Sequence, residues 1–517
     1  MLFQNILIYF VLIPLIMLGG VALSRNIKQI RAVAVIGSTA LIALSVYLIY
    51  QWLHPTPEAA ELAAAHEGMY HYASWKWFSA QGLNINLTVG VDGVSIAMLL
   101  LSSIILFTGS FASWTIQQPK AFFLWLILLS TGVFGFFITI DLFTMFMFYE
   151  VALIPMYLLI GVWGSGKKNY SAMKLTLMLM GGSAFLMLGL IGIYYHSSAD
   201  GHYTWNLLEI ANNNAISTGW QYFLFPMTFV GFGVLGAMFP FHTWSPDGHA
   251  SAPTAVSMLH AGVLMKLGGY GCFRVAMYLM PQAANDLAWI FLILTGISVV
   301  YGAFSACVQT DLKYINAYSS VSHCGLVLFA ILMINTTAMT GAIMQMLSHG
   351  LMTALFFALI GMIYGRTHTR DITKMGGMMK IMPYLAVGYV IAGMASLGLP
   401  GLSGFVAEMT IFVGSFQQGM TDYLAGGGSL RLVFTIIACC SIVITAVYIL
   451  RVVGKLLFGP VQDKHHLELT DATWWERLST AALIVCVAAI GCFPNFFENL
   501  IRGTFDPEIF RAIAMNF

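Results

Sequence analysis

Apolar segments of about 20 residues recur along nearly the whole of this 517-residue chain. Hydrophobic residues make up 59% of it and charged residues only 8%, whereas soluble domains carry about 25% charged residues. A hydrocarbon core about 30 Å thick is crossed by a helix of about 20 apolar residues. Lipid offers no hydrogen-bond partner to exposed backbone groups, so each span is expected to be helical. The sequence therefore predicts an all-α polytopic membrane protein whose surroundings are a lipid bilayer, with no nucleic-acid partner.

We count about fourteen predicted transmembrane helices. The first window is interpreted as a spanning helix rather than a signal peptide, because it is long and has no basic leader or convincing cleavage site. The fourteen windows lie near residues 2–23, 32–52, 91–114, 121–141, 143–163, 171–195, 220–241, 253–279, 287–308, 314–335, 339–364, 382–420, 432–458 and 478–500.

Two of these spans contain residues that break helices. The window 382–420 is too long for one span and holds GLPGLSG in its middle, and GAMFPFHTWSPDGHASAP interrupts the run between spans seven and eight. Discontinuous helices at corresponding places in two halves of a chain indicate inverted repeats with ion sites near the membrane midplane. We therefore predict two inverted five-helix repeats, 121–279 and 287–458. N-terminal transmembrane helices (1–114) precede them, and a C-terminal helix and tail (459–517) follow.

The charges of the connecting loops alternate and so predict the orientation. Loops after even-numbered spans are acidic or neutral, whereas those after odd-numbered spans are basic. Basic loops favour the cytoplasmic side, so both termini are expected on the non-cytoplasmic side. The basic residues are Arg25, Lys28, Arg31, Lys120, Lys167, Lys168, Lys313, Arg366, Arg370, Lys374, Lys380 and Lys464, and the acidic ones are Glu58, Glu61, Glu67, Asp141, Asp200, Glu209, Asp286 and Asp422.

Three ionisable residues, Glu150, Lys266 and Glu408, lie inside predicted spans. A charge near the bilayer centre costs roughly 2.5–3.5 kcal/mol on insertion scales. Such residues are retained where they pair, exchange protons or line water, so a proton or ion pathway is the first hypothesis. The alternative is a structural ion pair that locks helices together. Lys266 is the strongest candidate because it lies about 20 Å inside its helix, too deep to reach the polar surface easily.

Two histidines on consecutive spans extend this hypothesis. His323 and His349 can donate and accept protons near neutral pH, and they would bridge Lys266 and Glu408 if their helices are adjacent. A single histidine in an apolar helix is more often an interhelical hydrogen-bonding group. Lys174 begins the sixth span, where it either reaches Glu150 or lies at the membrane surface.

The remaining polar residues of the spans are interpreted as structural. Arg274 is expected to snorkel or to pair, and His242, His249 and His260 have loop or cap roles rather than metal-site spacing. No metal site is predicted, because no Cys-x-x-Cys pair occurs. The seven cysteines, Cys272, Cys307, Cys324, Cys439, Cys440, Cys486 and Cys492, all fall in apolar segments.

At these residues the chain resembles the antiporter-like subunits of respiratory complex I, most closely subunit M. The matching stretches are FYEVALIPMYLLIGVWG, PFHTWSPDGHASAPTAVSMLHAGVLMKLGGYG, QTDLKYINAYSSVSHCGL and GLPGLSGFVAEMTIFVGSF. Related subunits usually carry a lysine where Glu408 stands, so the glutamate favours subunit M. Subunit L usually adds a long lateral helix after the fourteenth span, whereas this chain ends soon after that span, which also favours subunit M.

The resemblance implies a proton-translocating subunit of an NADH:quinone oxidoreductase in a bacterial inner membrane, with Glu150, Lys266, Glu408 and the two histidines as relay residues. It implies that this chain binds no cofactor, that quinone, FMN and iron–sulfur clusters belong to other subunits, and that the neighbours are the antiporter-like subunits L and N. One departure from the family is Leu235, which occupies the place of a seventh-span lysine that normally pairs with the fifth-span carboxylate. Either Lys174 replaces that partner, or Glu150 is protonated at rest, or this half of the channel works differently.

Three alternatives to this function remain. They are an Mrp-type cation/proton antiporter subunit, a membrane subunit of an energy-converting hydrogenase, and a structural membrane subunit whose buried charges are inert.

Overall fold

The computed structural model describes residues 5–80, 83–198, 201–426 and 428–505. These residues form a bundle of helices with one hairpin of two antiparallel strands. Residues 2–4 of the first predicted span, Asp200 and the predicted tail from residue 506 onward lie outside the described residues. The helical membrane architecture predicted from the sequence is confirmed, with the hairpin as an addition.

The elements follow one another as a series of long helices joined by short segments. The first group is α1 (Tyr9–Leu23), α2 (Ile27–Leu53), α3 (Pro57–Ala64), β1 (Tyr70–Ala80), β2 (Leu83–Val91), α4 (Gly93–Ala112), α5 (Pro119–Ile138), α6 (Leu142–Trp163), α7 (Lys168–Tyr195), α8 (Leu207–Asn213), α9 (Thr218–Leu235) and α10 (Trp244–Ser251). The second group is α11 (Thr254–Leu259), the π-helical turn π1 (His260–Leu264), α12 (Met265–Gly271), the π-helical turn π2 (Cys272–Met277), α13 (Pro281–Asp286), α14 (Ala288–Val308), α15 (Leu312–Ile331) and α16 (Thr336–Thr367). The last group is α17 (Met378–Ile381), α18 (Pro383–Ser396), α19 (Ser403–Leu424), α20 (Leu430–Leu457), α21 (Trp474–Cys492) and α22 (Pro494–Arg502).

Eleven of the described helices are long and apolar enough to cross a membrane. The other three predicted spans coincide with α9 and the turns that follow it, with the α11–π2 segment and with α18–α19, where the helix is interrupted or changes its turn. The total of fourteen spans, the inverted repeats and the domain boundaries therefore stay predictions.

Both predicted helix breaks are present. Helix α9 ends at Leu235 and α10 begins only at Trp244, on either side of the MFPFH segment. Helix α18 ends at Ser396 and α19 begins at Ser403. Between them Gly398 and Gly401 have φ of +68° and +91°, a conformation that side chains with a Cβ rarely adopt.

The β-hairpin was not foreseen from the sequence, which was interpreted as a loop between spans two and three. Its strands pair in an antiparallel register with Trp75 opposite Leu87. Aromatic and β-branched residues fit a pleated surface, and β1 and β2 are rich in them. The hairpin joins the bundle through Ile140, whose N–H donates to the carbonyl of Thr88 at 3.1 Å.

Helix α16 lies at the centre of the bundle. It packs against α4, α11, α15, α18, α19 and α21, and 94% of its most apolar window is buried. The side chain of Asn335 caps its start by accepting from the N–H groups of Thr337 and Ala338 at 2.9 and 3.1 Å. Polar side chains on this helix therefore face protein rather than lipid.

Candidate functional site

Lys266 lies between two π-helical turns and is only 2% exposed. A π turn closes i→i+5 hydrogen bonds, is wider than an α turn, and is frequent at functional sites. The Lys266 ammonium donates to the carbonyl oxygen of Ala261, inside the first of these turns. Its other close contact is the imidazole of His349, with 2.7 Å between Nζ and Nδ1. The lysine is therefore held by its own helix and presented to α16.

Two glycines bring these helices into direct contact. A Cβ placed on Gly350 would lie 2.6 Å from the carbonyl oxygen of Gly262, closer than real side chains approach backbone. Small residues let membrane helices approach closely. Since Gly350 follows His349 directly, this crossing places the histidine opposite Lys266.

His323 and Glu408 continue the line of titratable groups. The rings of His323 and His349 have their centroids 5.2 Å apart, and Nδ1 of His323 lies 3.4 Å from Oε1 of Glu408. His323 belongs to α15, whereas Glu408 follows the break at the start of α19. The structure thus brings together the four residues that the sequence analysis placed in one relay, in the order Lys266, His349, His323 and Glu408.

Gln345 belongs to this site and was missed by the sequence analysis. It lies one turn before His349 on α16, and its Nε2 is 3.0 Å from Nδ1 of His323. Its Oε1 is buried without a hydrogen-bond partner in the structure. The spacing of four residues, which puts Gln345 and His349 on one face of a helix, was a signal that could have found it.

A cavity of about 10 Å³ adjoins Lys266 and is also lined by Cys324 and Gly236. A space of this size accommodates about one water molecule. The thiol of Cys324 lies 4.0 Å from Nδ1 of His349. Lys266 therefore has room for water beside its hydrogen-bonded partners.

Lys174, one of the alternative partners considered for Glu150, forms its ion pair with Asp247 on α10, with 2.7 Å between Nζ and Oδ2. Asp247 also accepts from the Tyr314 hydroxyl at 2.9 Å. Asp247 is the partner of Lys174 because α10, which carries Asp247, packs against α7. Glu150 is part-buried near Ser183, and its Oε1 has no hydrogen-bond partner among the described residues.

Arg274 forms a buried ion pair. Its guanidinium binds the carboxylate of Asp92, and the two side chains are 1% and 4% exposed. Asp92 also caps α4 by accepting from the N–H of Ser95 at 2.9 Å. Of the two expectations for Arg274, pairing is confirmed.

One further predicted position differs from expectation. Lys313, counted as a loop charge, lies in the first turn of α15, where it is 4% exposed and donates to the Ala252 carbonyl at 2.6 Å. His249 lies in the last turn of α10 and His260 at the C-cap of α11, and their buried rings contact each other with centroids 4.2 Å apart. His242 lies in the connection between α9 and α10, as a loop role predicts.

The described fold and site define a polytopic membrane subunit with a buried line of titratable side chains. Residues 139–435 match the family model described as NADH:quinone oxidoreductase/Mrp antiporter, TM. The chain belongs to this family.

The most similar relatives include NADH-quinone oxidoreductase subunit M of Rickettsia bellii, 33% identical over 92% of this chain and 91% of that protein. NAD(P)H-quinone oxidoreductase chain 4 3 of a Picosynechococcus species is 36% identical over 84% of this chain and 76% of that one. Together they support a complex I subunit of the M type.

Solved structures show the same fold at lower identity. A chain of respiratory complex I from Thermus thermophilus has a TM-score of 0.84 and 23% identity, covering 98% of this chain and 99% of that one. A chain of the Mrp complex from Dietzia has a TM-score of 0.81 and 19% identity, covering 99% and 100%. These two structures establish the fold, whereas the sequence relatives carry the assignment to the complex I branch.

Proposed function

We propose that this chain is the proton-translocating subunit M of an NADH:quinone oxidoreductase, and that protons move along Lys266, His349, His323 and Glu408. The observation that carries this proposal is the contiguous line of these four buried side chains. Its closest contacts are 2.7 Å at the lysine end and 3.4 Å at the glutamate end. Quinone reduction in other subunits would drive the transfer.

The low dielectric of the bundle favours proton exchange between Lys266 and Glu408 over permanent ionisation of both side chains. An ionised group at the bilayer centre costs roughly 2.5–3.5 kcal/mol, and the attraction of a nearby opposite charge offsets part of that cost. A proton that moves from Lys266 toward Glu408 neutralises both ends of the line. The line therefore has a charge-separated arrangement and a neutral one, and a reversible relay would alternate between them.

The first step is a transfer from the Lys266 ammonium to Nδ1 of His349, across their 2.7 Å contact. His349 then releases a proton from Nε2, which is buried and has no hydrogen-bond partner among the described residues. The ring of His323 comes next, with its centroid 5.2 Å from that of His349.

Gln345 supports both tautomers of His323. When Nδ1 is unprotonated, the amide NH₂ of Gln345 donates to it at 3.0 Å. Rotation of the amide by about 180° presents Oε1, which accepts from a protonated Nδ1 instead. His323 can therefore take a proton on one nitrogen and pass one to Glu408 without losing its hydrogen bond.

Glu150 and Lys174 stand apart from this direct line. Leu235 provides no base in the seventh span, and Lys174 is committed to Asp247. We propose that Glu150 rests in the protonated form, with its carboxyl group hydrogen bonded to Ser183. Glu150 would ionise only when a positive charge from a neighbouring subunit or a hydrogen bond from a bound water stabilises its carboxylate.

The assembly follows from the family and from the loop charges. We propose neighbouring antiporter-like subunits L and N, with FMN, iron–sulfur clusters and quinone held elsewhere in the complex. The basic loops would face the cytoplasm of a bacterium and both termini the opposite side of its inner membrane.

Purification of the tagged chain from its native membrane tests this assignment. The expected result is recovery with peripheral subunits that carry flavin and iron–sulfur chromophores, and with NADH:quinone reductase activity. Recovery with only small antiporter subunits would favour the Mrp-type function, and recovery with a hydrogenase would place the chain in an energy-converting hydrogenase.

A further inference from the structure

A second cavity of about 10 Å³ adjoins His323 and Glu408. Hydroxyl groups supply much of its wall: Ser322, Ser396, Ser441 and Thr445 line it. Two buried polar atoms on lining residues, Nε2 of His323 and Oγ of Ser396, have no hydrogen-bond partner among the described residues. A space of this size holds about one water, and a buried water needs two to four polar partners. The cavity meets both requirements.

Hydroxyl groups continue from this cavity in one direction. The hydroxyls of Ser396 and Thr445 lie beside that of Tyr448. The Tyr448 hydroxyl is in turn 2.7 Å from Oγ of Ser319 on α15. Tyr448 is 0% and Ser319 2% exposed, so the row is enclosed by protein.

The row leads toward one face of the bundle, which we call the basic-loop face. There α15 and α18 begin and α20 ends, and a guanidinium nitrogen of Arg451 on α20 donates to the carbonyl of Gln309 just before α15 at 2.6 Å. At 1.5 Å per residue, Thr445 lies about 18 Å, Tyr448 about 14 Å and Ser319 about 10 Å from the helix ends at this face. The side chain of Asn316, one turn nearer to it, is buried and its Nδ2 has no partner in the described structure.

We propose that Glu408 exchanges protons with the basic-loop face through a side branch that does not pass through Lys266. The branch consists of a water in the second cavity and the hydroxyls of Ser396, Thr445, Tyr448 and Ser319. This inference rests on the proposed function, because it assumes that Glu408 is a proton carrier. It adds a second path by which Glu408 is loaded.

The transfer along the branch is balanced at each group. As Glu408 takes one proton from the cavity water, that water takes one from the row of hydroxyls. Tyr448 gives up its proton in this row and receives one from Ser319, and Ser319 receives one that originates from a hydronium ion at the basic-loop face, which is left as water. The cavity water and each hydroxyl end neutral with one new O–H bond in place of the one that broke, and the Glu408 carboxylate becomes the neutral acid.

A structural role for the same hydroxyls predicts a different set of contacts. Serine and threonine in membrane helices commonly bond to the carbonyl four residues earlier, as Ser320 does to Asn316. Ser319 and Tyr448 instead bond to each other across two helices, and the Ser396 hydroxyl forms no hydrogen bond of ordinary geometry. A row that only stabilised the helices would leave no unpaired atoms around a water-sized space.

Hydrogen–deuterium exchange at Glu408 tests the branch in the intact, purified complex. The carboxyl C=O stretch of Glu408 is identified by infrared spectroscopy as the band lost in Glu408→Gln, with the pH lowered until the band appears. Its shift is then timed after transfer to D₂O. Tyr448→Phe removes one hydroxyl and should slow the shift about tenfold or more, equivalent to ~1.4 kcal/mol of barrier.

Two other variants separate the branch from a packing effect. Ser319→Ala should slow the shift as Tyr448→Phe does, whereas Ser319→Thr, which keeps the hydroxyl, should restore the rate. Tyr389→Phe is the matched control, because Tyr389 is a buried tyrosine of α18 that does not line the cavity.

The outcomes distinguish the branch from the proposed function. Exchange that is slowed by Lys266→Ala but unchanged in Tyr448→Phe and Ser319→Ala overturns the branch and leaves the relay standing. Loss of the branch signal together with pumping that survives Glu408→Gln would overturn the proposed function instead.

Discussion

The buried pair of Asp92 and Arg274 gives the sharpest quantitative prediction. Removal of one partner from a buried ion pair leaves an uncompensated charge and costs about 3–5 kcal/mol. The Asp92 carboxylate also caps α4, a contribution of about 1 kcal/mol that Asn preserves and Ala does not. Asp92→Asn should therefore destabilise the chain by about 3–5 kcal/mol, and Asp92→Ala by about 1 kcal/mol more.

The assay is the fraction of the chain retained in the assembled complex after stepwise heating in detergent. The double variant Asp92→Asn/Arg274→Met should recover most of the lost stability, because neither side chain then leaves an unpaired buried charge. Asp422→Asn is the matched control: Asp422 and Arg431 pair with 22% and 13% exposure, and pairs nearer to solvent contribute about 1 kcal/mol or less.

A structural role for the pair is refuted if Asp92→Asn assembles normally and the same fraction of it as of the unmodified chain stays in the complex after heating. It is also refuted if the variant keeps its stability but loses proton pumping, because the pair would then belong to the conduction path rather than to the scaffold.

Two other predictions concern how the site is positioned. Gly268→Ala should reduce assembly and pumping, because a Cβ there would lie 2.4 Å from the N of Gly236 and would force α12 away from α9; wild-type pumping in this variant would show that the close crossing is dispensable. Leu235→Lys should assemble while Glu150 is intact and fail in Leu235→Lys/Glu150→Ala, since Leu235 is 2% exposed and an unpaired buried ammonium costs several kcal/mol. Assembly is measured by immunoblotting of the purified complex. Equal assembly of the single and double variants would contradict a pairing between the introduced ammonium and Glu150.

The sequence predicted the parts of this molecule that depend on single segments. Helix breaks at GLPGLSG and MFPFH could be predicted because proline and glycine act locally. The four residues of the buried line could be predicted because ionisable groups in apolar runs are costly wherever they lie. Partners across helices were harder. Asp92, the partner of Arg274, was not considered because an acidic residue at a helix start is common. Asp247 pairs with Lys174 because the broken segment folds back toward α7, and sequence periodicity does not predict such a fold.

The π-helical turns and the hairpin were missed for related reasons. Both π turns have ordinary helical periodicity in the sequence, and only packing against α9 and α16 selects the wider turn. The hairpin alternates weakly and lies between two strong transmembrane signals, so its 70–91 segment looked like a long loop.

Redox-coupled proton uptake in Lys266→Met tests the central claim most directly. The purified complex is reconstituted in vesicles, and NADH:quinone reduction and proton movement are recorded together, with Lys174→Met as the control because Lys174 pairs with Asp247 away from the line. Pumping should collapse in Lys266→Met and be largely kept in Lys174→Met. Full pumping at an unchanged reduction rate in Lys266→Met would contradict it and leave these buried charges as structural pairs.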